Sequence, residues 1–310
     1  MDIRTTQCAA AVMMIRPAAF DYNSQTAASN RMQEAAEGVL DAGKLALAEF
    51  DAAVTALRGA AVQVWVVADT PQPPKPDAVF PNNWVSWHSD GSVVLYPMMA
   101  PNRRLERRHE VLEQVAQRRG YRIGRLVDLS PFEAQGRYLE GTGSLVLDHV
   151  GRVAFACRSS RTDEWLVQRW AAELGYEPVI FDAVDRAGVP FYHTNVMLSI
   201  GARVAVVAAD AIVPADRERV LAALAAGSRD IIAIDQTAVA AFAGNMLELL
   251  NGKGQRVYVL SAQAQRTLPP ATLARLTAAT DQLLPLTIPT IERLGGGSVR
   301  CMLAEVFSPA

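Results

Sequence analysis

Cysteine is scarce in this chain, charge of one sign never accumulates and no apolar run is long, and each shortage closes off a class of protein. Cys8, Cys157 and Cys301 are the only cysteines in 310 residues. They are odd in number and far apart, so neither a disulfide framework nor a CxxC zinc pair is available, and a reducing, cytoplasmic setting is expected. The four histidines show no HxxxH or HxH spacing, and no GxGxxG or phosphate loop occurs, so no metal and no cofactor is expected. The net charge is −2 with acids and bases interspersed, which excludes the basic footprint of a nucleic-acid binder. No stretch approaches the roughly 20 apolar residues of a membrane span. The apolar run from Cys8 lacks a basic leader and meets Arg16-Pro17, so it reads as a first strand rather than a signal peptide. What remains is a small-molecule partner, with a homodimer as an assembly to be tested.

What is present is a core. Half the residues are hydrophobic and a fifth are charged, which suits a globular chain. Strand-like runs rich in Val and Ile (Val12–Arg16, Val62–Ala68, Val93–Met98, Val153–Cys157, Val204–Ala208, Val257–Leu260) alternate with helix-like runs at Asn30–Leu57, Leu105–Arg119, Glu164–Leu174, Asp216–Ala225 and Pro270–Leu284. Thr162 and Asp216 are expected as N-caps, Gly120 and Gly175 as C-terminal stops.

The order of elements repeats. Strand, tight turn, strand, helix and strand recur from Asn83, Tyr138, Phe191 and Asn245, the last unit ending in a strand at Leu286–Ile288. Ser298–Val306 pairing beside Ala11–Arg16 supplies a fifth unit. The spacing predicts an α/β fold of five ββαβ modules around a central channel, as one domain over residues 1–310. A doubly wound parallel sheet is the alternative, but turns such as Asp90-Gly91 belong to hairpins.

Three residues of catalytic type stand at corresponding places in different units. Cys301 follows three glycines, whose amides could hold an anion; a lone cytosolic cysteine is more often a small buried hydrophobe. His193 heads an apolar strand, and taken alone it is more often structural. His88 and His109 are expected to be exposed, and His149 lies in a turn. Glu140 precedes Gly141-Thr142-Gly143. A ring would bring all three to one channel.

At these residues the chain resembles the guanidine-modifying, or pentein, superfamily. Leu139–Gly143 is similar to its Glu-Gly-Gly-Asp element, Tyr192–Asn195 to its histidine element, and Gly295–Val306 to its C-terminal cysteine motif. Ile15-Arg16-Pro17 and Val79–Ser86 resemble those of bacterial citrulline-utilisation hydrolases. Ser160-Arg161-Thr162 is similar to the element whose arginine holds the substrate carboxylate in dimethylarginine hydrolases. The resemblance implies a cysteine hydrolase of a carbon–nitrogen bond, with Cys301, His193 and Glu140 as catalytic residues. It implies Asn82, Asn83, Asn195 and Arg161 as substrate contacts, with Arg16 and Arg158 as helpers.

Where arginine-acting relatives carry acids, this chain has Asn82, Asn83, Asn195 and Gly143. A buried guanidinium needs charge compensation, whereas a neutral ureido group needs donors and acceptors, and asparagine supplies both. The expected substrate is therefore citrulline rather than an arginine derivative, although Asp77 could restore an acid nearby. The alternatives are an arginine deiminase, a dimethylarginine hydrolase, an amidinotransferase and a non-catalytic binding ring.

Overall fold

The computed structural model describes residues 6–35, 38, 40–119 and 123–307. Five three-stranded sheets dominate it, and all are built alike. In each, a middle strand pairs antiparallel with a short inner strand and parallel with an outer one. The middle strands are Ala11–Arg16, Ser92–Leu95, Val153–Cys157, Val204–Val207 and Arg256–Ser261. They are almost wholly buried, because a strand covered on both faces must be apolar on both.

The inner strands are Ala304–Val306, Val85–Trp87, Val146–Asp148, Leu198–Ile200 and Leu247–Leu250. They adjoin one another in that order. Ala304–Val306 lies beside Val85–Trp87, and Leu198–Ile200 lies between Val146–Asp148 and Leu247–Leu250. Turns before Val85 and Val146 link the next pair, and Leu250 N–H donates to the Ala9 carbonyl at 2.9 Å, tying the fourth unit to the fifth. The arrangement is that of a five-bladed α/β propeller. The two ends of the chain make one sheet, with Ala11–Met13 antiparallel to Ala304–Val306.

Helices pack outside. Ala42–Gly59 turns Ala46, Phe50, Ala53, Val54 and Leu57 inward at helical spacing. Burying side chains the size of Phe50 and Leu57 contributes roughly 1.5–3 kcal/mol each. Among the described residues no helix is long and apolar enough to cross a membrane.

Several boundaries differ from expectation for local reasons. The first long helix begins at Ala42 rather than Asn30, because Asn30 folds its own chain into a turn, Oδ1 accepting from Met32 N–H while Nδ2 donates to the Gly295 and Gly296 carbonyls. The run from Pro270 splits into a helix to Ala279 and a strand Gln282–Leu286. Asp163, not Thr162, caps the helix Glu164–Leu174, its side chain accepting from Leu166 N–H. Val213 occupies the cap before Pro214, and Asp216 lies inside the first turn. Gly175 ends its helix at φ 69° as expected; Gly120 lies outside the described residues. His88 is buried, contrary to expectation, and bonds to Ser86 Oγ at 2.8 Å.

Candidate active site

A turn precedes each inner strand, and these turns carry the candidate residues. Glu140 stands before the helical turn Gly141–Ser144 and is wholly buried. Gly141 there has φ +48°, a conformation costly for any residue with a Cβ. His193 precedes the turn Thr194–Val196. Thr194 Oγ1 fixes this turn by donating to the Ser144 carbonyl at 2.6 Å and accepting from Cys157 N–H at 2.8 Å. Cys301 lies in the helical turn Val299–Met302, not in the strand expected over Ser298–Val306. Arg300 consequently reaches Glu305 at 2.8 Å and the Leu303 carbonyl.

The expected acid and base meet. His193 Nε2 lies 2.9 Å from Glu140 Oε2, while Oε1 accepts from Met99 N–H at 3.0 Å. Burial pushes the Glu140 carboxyl up, but the Arg161 guanidinium, the His193 hydrogen bond and Arg103 outweigh it and hold it well below the carboxylate range. Burial lowers His193 to about 4 against the pull of Glu140. At neutral pH the pair is an anionic carboxylate and a neutral imidazole whose proton sits on Nε2, leaving the Nδ1 lone pair free. A Cβ on Gly143 would lie 2.7 Å from that Nδ1 and 2.5 Å from Asn83 Nδ2, so only glycine fits beneath both.

One cavity of about 10 Å³ is lined by His193, Cys301, Asp77, Asn83, Arg103 and Arg161, with Phe80, Tyr192, Asn30 and Gly295–Gly297 closing it. Arg161 crosses it: Nη1 approaches Glu140 Oε2 at 3.4 Å, and Nη2 donates to Ser29 Oγ and the Thr26 carbonyl at 2.6 and 3.0 Å. It thus fastens the segment Asn23–Gln33 over the site. Two expected helpers lie elsewhere. Arg16 forms an exposed pair with Asp51, and Arg158 pairs with Glu164 and Asp182. Asn82 is buried within the turn Pro81–Asn83 and is absent from the cavity wall; Asn195 reaches the thiol rather than the open space.

The sequence reading missed Arg103 and Asn245. Arg103 is buried, bidentate to Glu106 at 2.9 Å, and donates to Asn83 Oδ1 at 2.8 Å. Nothing distinguishes it in sequence from Arg104, Arg107 and Arg108 close by. Asn245 Nδ2 approaches Cys301 Sγ at 3.3 Å; its place at the head of the fourth unit, matching Cys301 in the fifth, was the available signal. Asp77 Oδ1 and Asn83 Nδ2 are buried without hydrogen-bond partners. A carboxyl whose pKa burial raises against the pull of Arg103 and Asn23, and a neutral amide donor, therefore share the cavity with the thiol.

A thiol, an imidazole–carboxylate pair and a five-unit α/β ring together define the pentein class. The sequence model described as "N,N dimethylarginine dimethylhydrolase, eukaryotic" matches residues 16–308, and the chain belongs to that family. Solved structures agree on the fold. The N-terminal domain of ArgZ, an arginine dihydrolase from the ornithine–ammonia cycle in cyanobacteria, superposes with a TM-score of 0.73 at 17% identity, covering 96% of this chain and 98% of that domain. The chain spans 40% of the full-length ArgZ chain. AgrE, solved with L-arginine, gives 0.73 at 19% identity over 96% of this chain and 40% of that one. A dimethylarginine dimethylaminohydrolase gives 0.64 at 18% over 96% and 99%. No curated protein matches the sequence.

Proposed function

We propose that this chain hydrolyses a carbon–nitrogen bond of a ureido or guanidino amino acid through a covalent intermediate on Cys301, and that citrulline is its substrate. The observation that carries this reading is one cavity lined by the Cys301 thiol, by His193 with Glu140 behind it, and by the unpaired Asn83 Nδ2. Residues 1–310 are taken as one working unit, since the site draws on all five sheets' turns.

The ureido carbon is a poor electrophile, and a thiolate splits its hydrolysis into two easier displacements. Cys301 attacks that carbon while its proton passes by way of His193 Nδ1 to the departing δ-nitrogen, which leaves as the amine of ornithine. A water then attacks the carbamoyl-thioester with His193 Nδ1 as base. Carbamate is released and breaks down to carbon dioxide and ammonia, and the thiol is restored. Glu140 keeps the imidazole in one tautomer and stabilises it when protonated. Asn83 Nδ2 donates to the ureido oxygen, where negative charge grows in the tetrahedral state. Arg161 takes the α-carboxylate as a bidentate fork, exchanging its bonds to Ser29 and Thr26 for it.

A second reading is favoured by Asp77, whose free Oδ1 would pair with a guanidinium. Dimethylarginine, which the family's description names, or arginine, on which ArgZ acts, would then be accepted. Incubation with L-citrulline, L-arginine and dimethylarginine separately, with mass spectrometry of the products, decides. Ornithine and ammonia from citrulline are expected. Turnover of the guanidino substrates with citrulline inert would overturn the citrulline assignment, and silence on all three would overturn the hydrolase reading.

A further inference from the structure

A buried thiolate needs partners, and the cations near Cys301 are occupied. Arg300 is turned to Glu305, Arg103 to Glu106 and Asn83, and Arg161 to Glu140 and Ser29. What touches the sulfur instead is a pair of side-chain amides. Asn245 Nδ2 lies 3.3 Å from Sγ and Asn195 Nδ2 lies 3.6 Å from it, and both asparagines are buried.

Their orientation is set from outside. Asn245 Nδ2 also donates to the Asn195 carbonyl at 2.9 Å, and Asn195 Nδ2 to the Thr142 carbonyl at 3.2 Å. Those acceptors hold each amide with its nitrogen toward the thiol, leaving the Oδ1 atoms at 3.6 and 4.0 Å. A neutral thiol can donate to the Asn245 Oδ1 and accepts only weakly from the two N–H groups, whereas an ionised sulfur gains both as full donors.

Resting on the reading of Cys301 as nucleophile, we propose that Asn245, assisted by Asn195, is a catalytic residue whose amide stabilises the Cys301 thiolate and aims it at the substrate carbon. Neutral donors do this without adding positive charge to a cavity that must admit a substrate of either charge. The charged and titratable groups lining that cavity beside Cys301 are Asp77, Arg103, Arg161, Tyr192 and His193, with Glu140 behind His193. None of them hydrogen-bonds to the sulfur, whereas Asn245 and Asn195 do.

The test is alkylation of Cys301 by iodoacetamide across a pH series, in the parent protein and in Asn245→Ala and Asn245→Asp, with Cys301→Ser as the blank for the two other thiols. A hydrogen bond to a charged group is worth about a tenfold change or more in equilibrium. The pH of half-maximal rate is therefore expected to rise by about one unit in Asn245→Ala, with a fall in kcat of about 10-fold or more. Asn245→Asp, which sets a carboxylate against the sulfur, is expected to rise further. An unchanged midpoint with an altered plateau is what a merely structural asparagine gives, and it overturns the inference. Should the Asn245 variants lose their melting transition, Asn195→Ala takes their place. It removes the longer contact, and the expected result is a smaller rise; no rise overturns the inference. A parent protein whose Cys301 resists alkylation throughout removes the nucleophile reading itself, a separate failure.

Discussion

Gly143→Ala adds a single methyl group, and the structure says where it lands. Its Cβ would stand 2.7 Å from His193 Nδ1 and 2.5 Å from Asn83 Nδ2, whereas ordinary contact begins near 3.4 Å. His193 must therefore retreat by about 0.7 Å and Asn83 by about 0.9 Å. Neither is free to do so. His193 is held from the far side by Glu140 at 2.9 Å, and Asn83 by Arg103 at 2.8 Å. Unlike Gly141, Gly143 does not have a positive φ, so the backbone itself tolerates alanine and the burden falls on the two side chains. Overpacking of this kind costs about 1–3 kcal/mol of stability. A displacement approaching 1 Å at a catalytic group costs up to about 100-fold in rate. The expected variant is thus folded, melts modestly lower and has kcat reduced about 10- to 100-fold, with KM rising less. Steady-state kinetics on the substrate identified by product analysis, together with a thermal melt, supply both numbers. A variant within twofold of the parent kcat would refute the claim that His193 works from this position. Gly141→Ala is the control: at φ +48° with its Cβ 2.2 Å from the Asn82 carbonyl oxygen, it should lose about 2–4 kcal/mol and unfold early rather than merely slow down.

Cys301→Ser is expected to abolish turnover and the mass shift of a trapped thio-adduct; retained activity sinks the covalent mechanism. Asn83→Asp replaces the free amide donor with a second acid beside Asp77, and the ratio of kcat/KM for arginine over citrulline should rise at least about 10-fold; an unchanged ratio would mean Asn83 does not read the reacting group. His149 is held neutral by burial, its pKa lowered to about 3, so the unfolded chain, with an ordinary value near 6.5, takes the proton first as pH falls. Stability that depends on neutral His149 is complete above about pH 6.5 and is lost as pH drops toward 3. Between about pH 7.5 and 5 that loss is about 2 kcal/mol. Urea denaturation should show the parent's advantage over His149→Gln shrinking by this amount, and a constant difference would refute it.

The fivefold repeat was legible because each module states itself locally. Val-rich strands buried on both faces, glycine turns and an amphipathic helix recur in fixed order, and periodicity registers all three. Glu140, His193 and Cys301 were legible because they fall at matching places in the repeat. What stayed hidden depends on partners distant in sequence. The run from Asn30 has helical spacing, yet Asn30 finds the Gly295 and Gly296 carbonyls and the helix waits until Ala42. Arg103 is one of four arginines within six residues, and only burial against Glu106 and Asn83 singles it out. Arg16 carried a motif resemblance but faces solvent with Asp51. Asn245 was read as the start of a strand and given no chemistry, since an amide's use depends on what lies opposite it.

Glu140, His193 and Cys301 hang from three different sheets, and the sheet that carries Cys301 is completed by only three residue pairs, Ala11–Val306, Val12–Glu305 and Met13–Ala304. That seam joins segments about 290 residues apart in sequence, so nothing local re-zips it once it frays. Mild denaturant that loosens the seam would carry the thiol away from His193 while the other four blades keep their strands and helices. Inactivation should accordingly run ahead of the circular-dichroism transition, making catalysis the most sensitive gauge of whether the ring is shut.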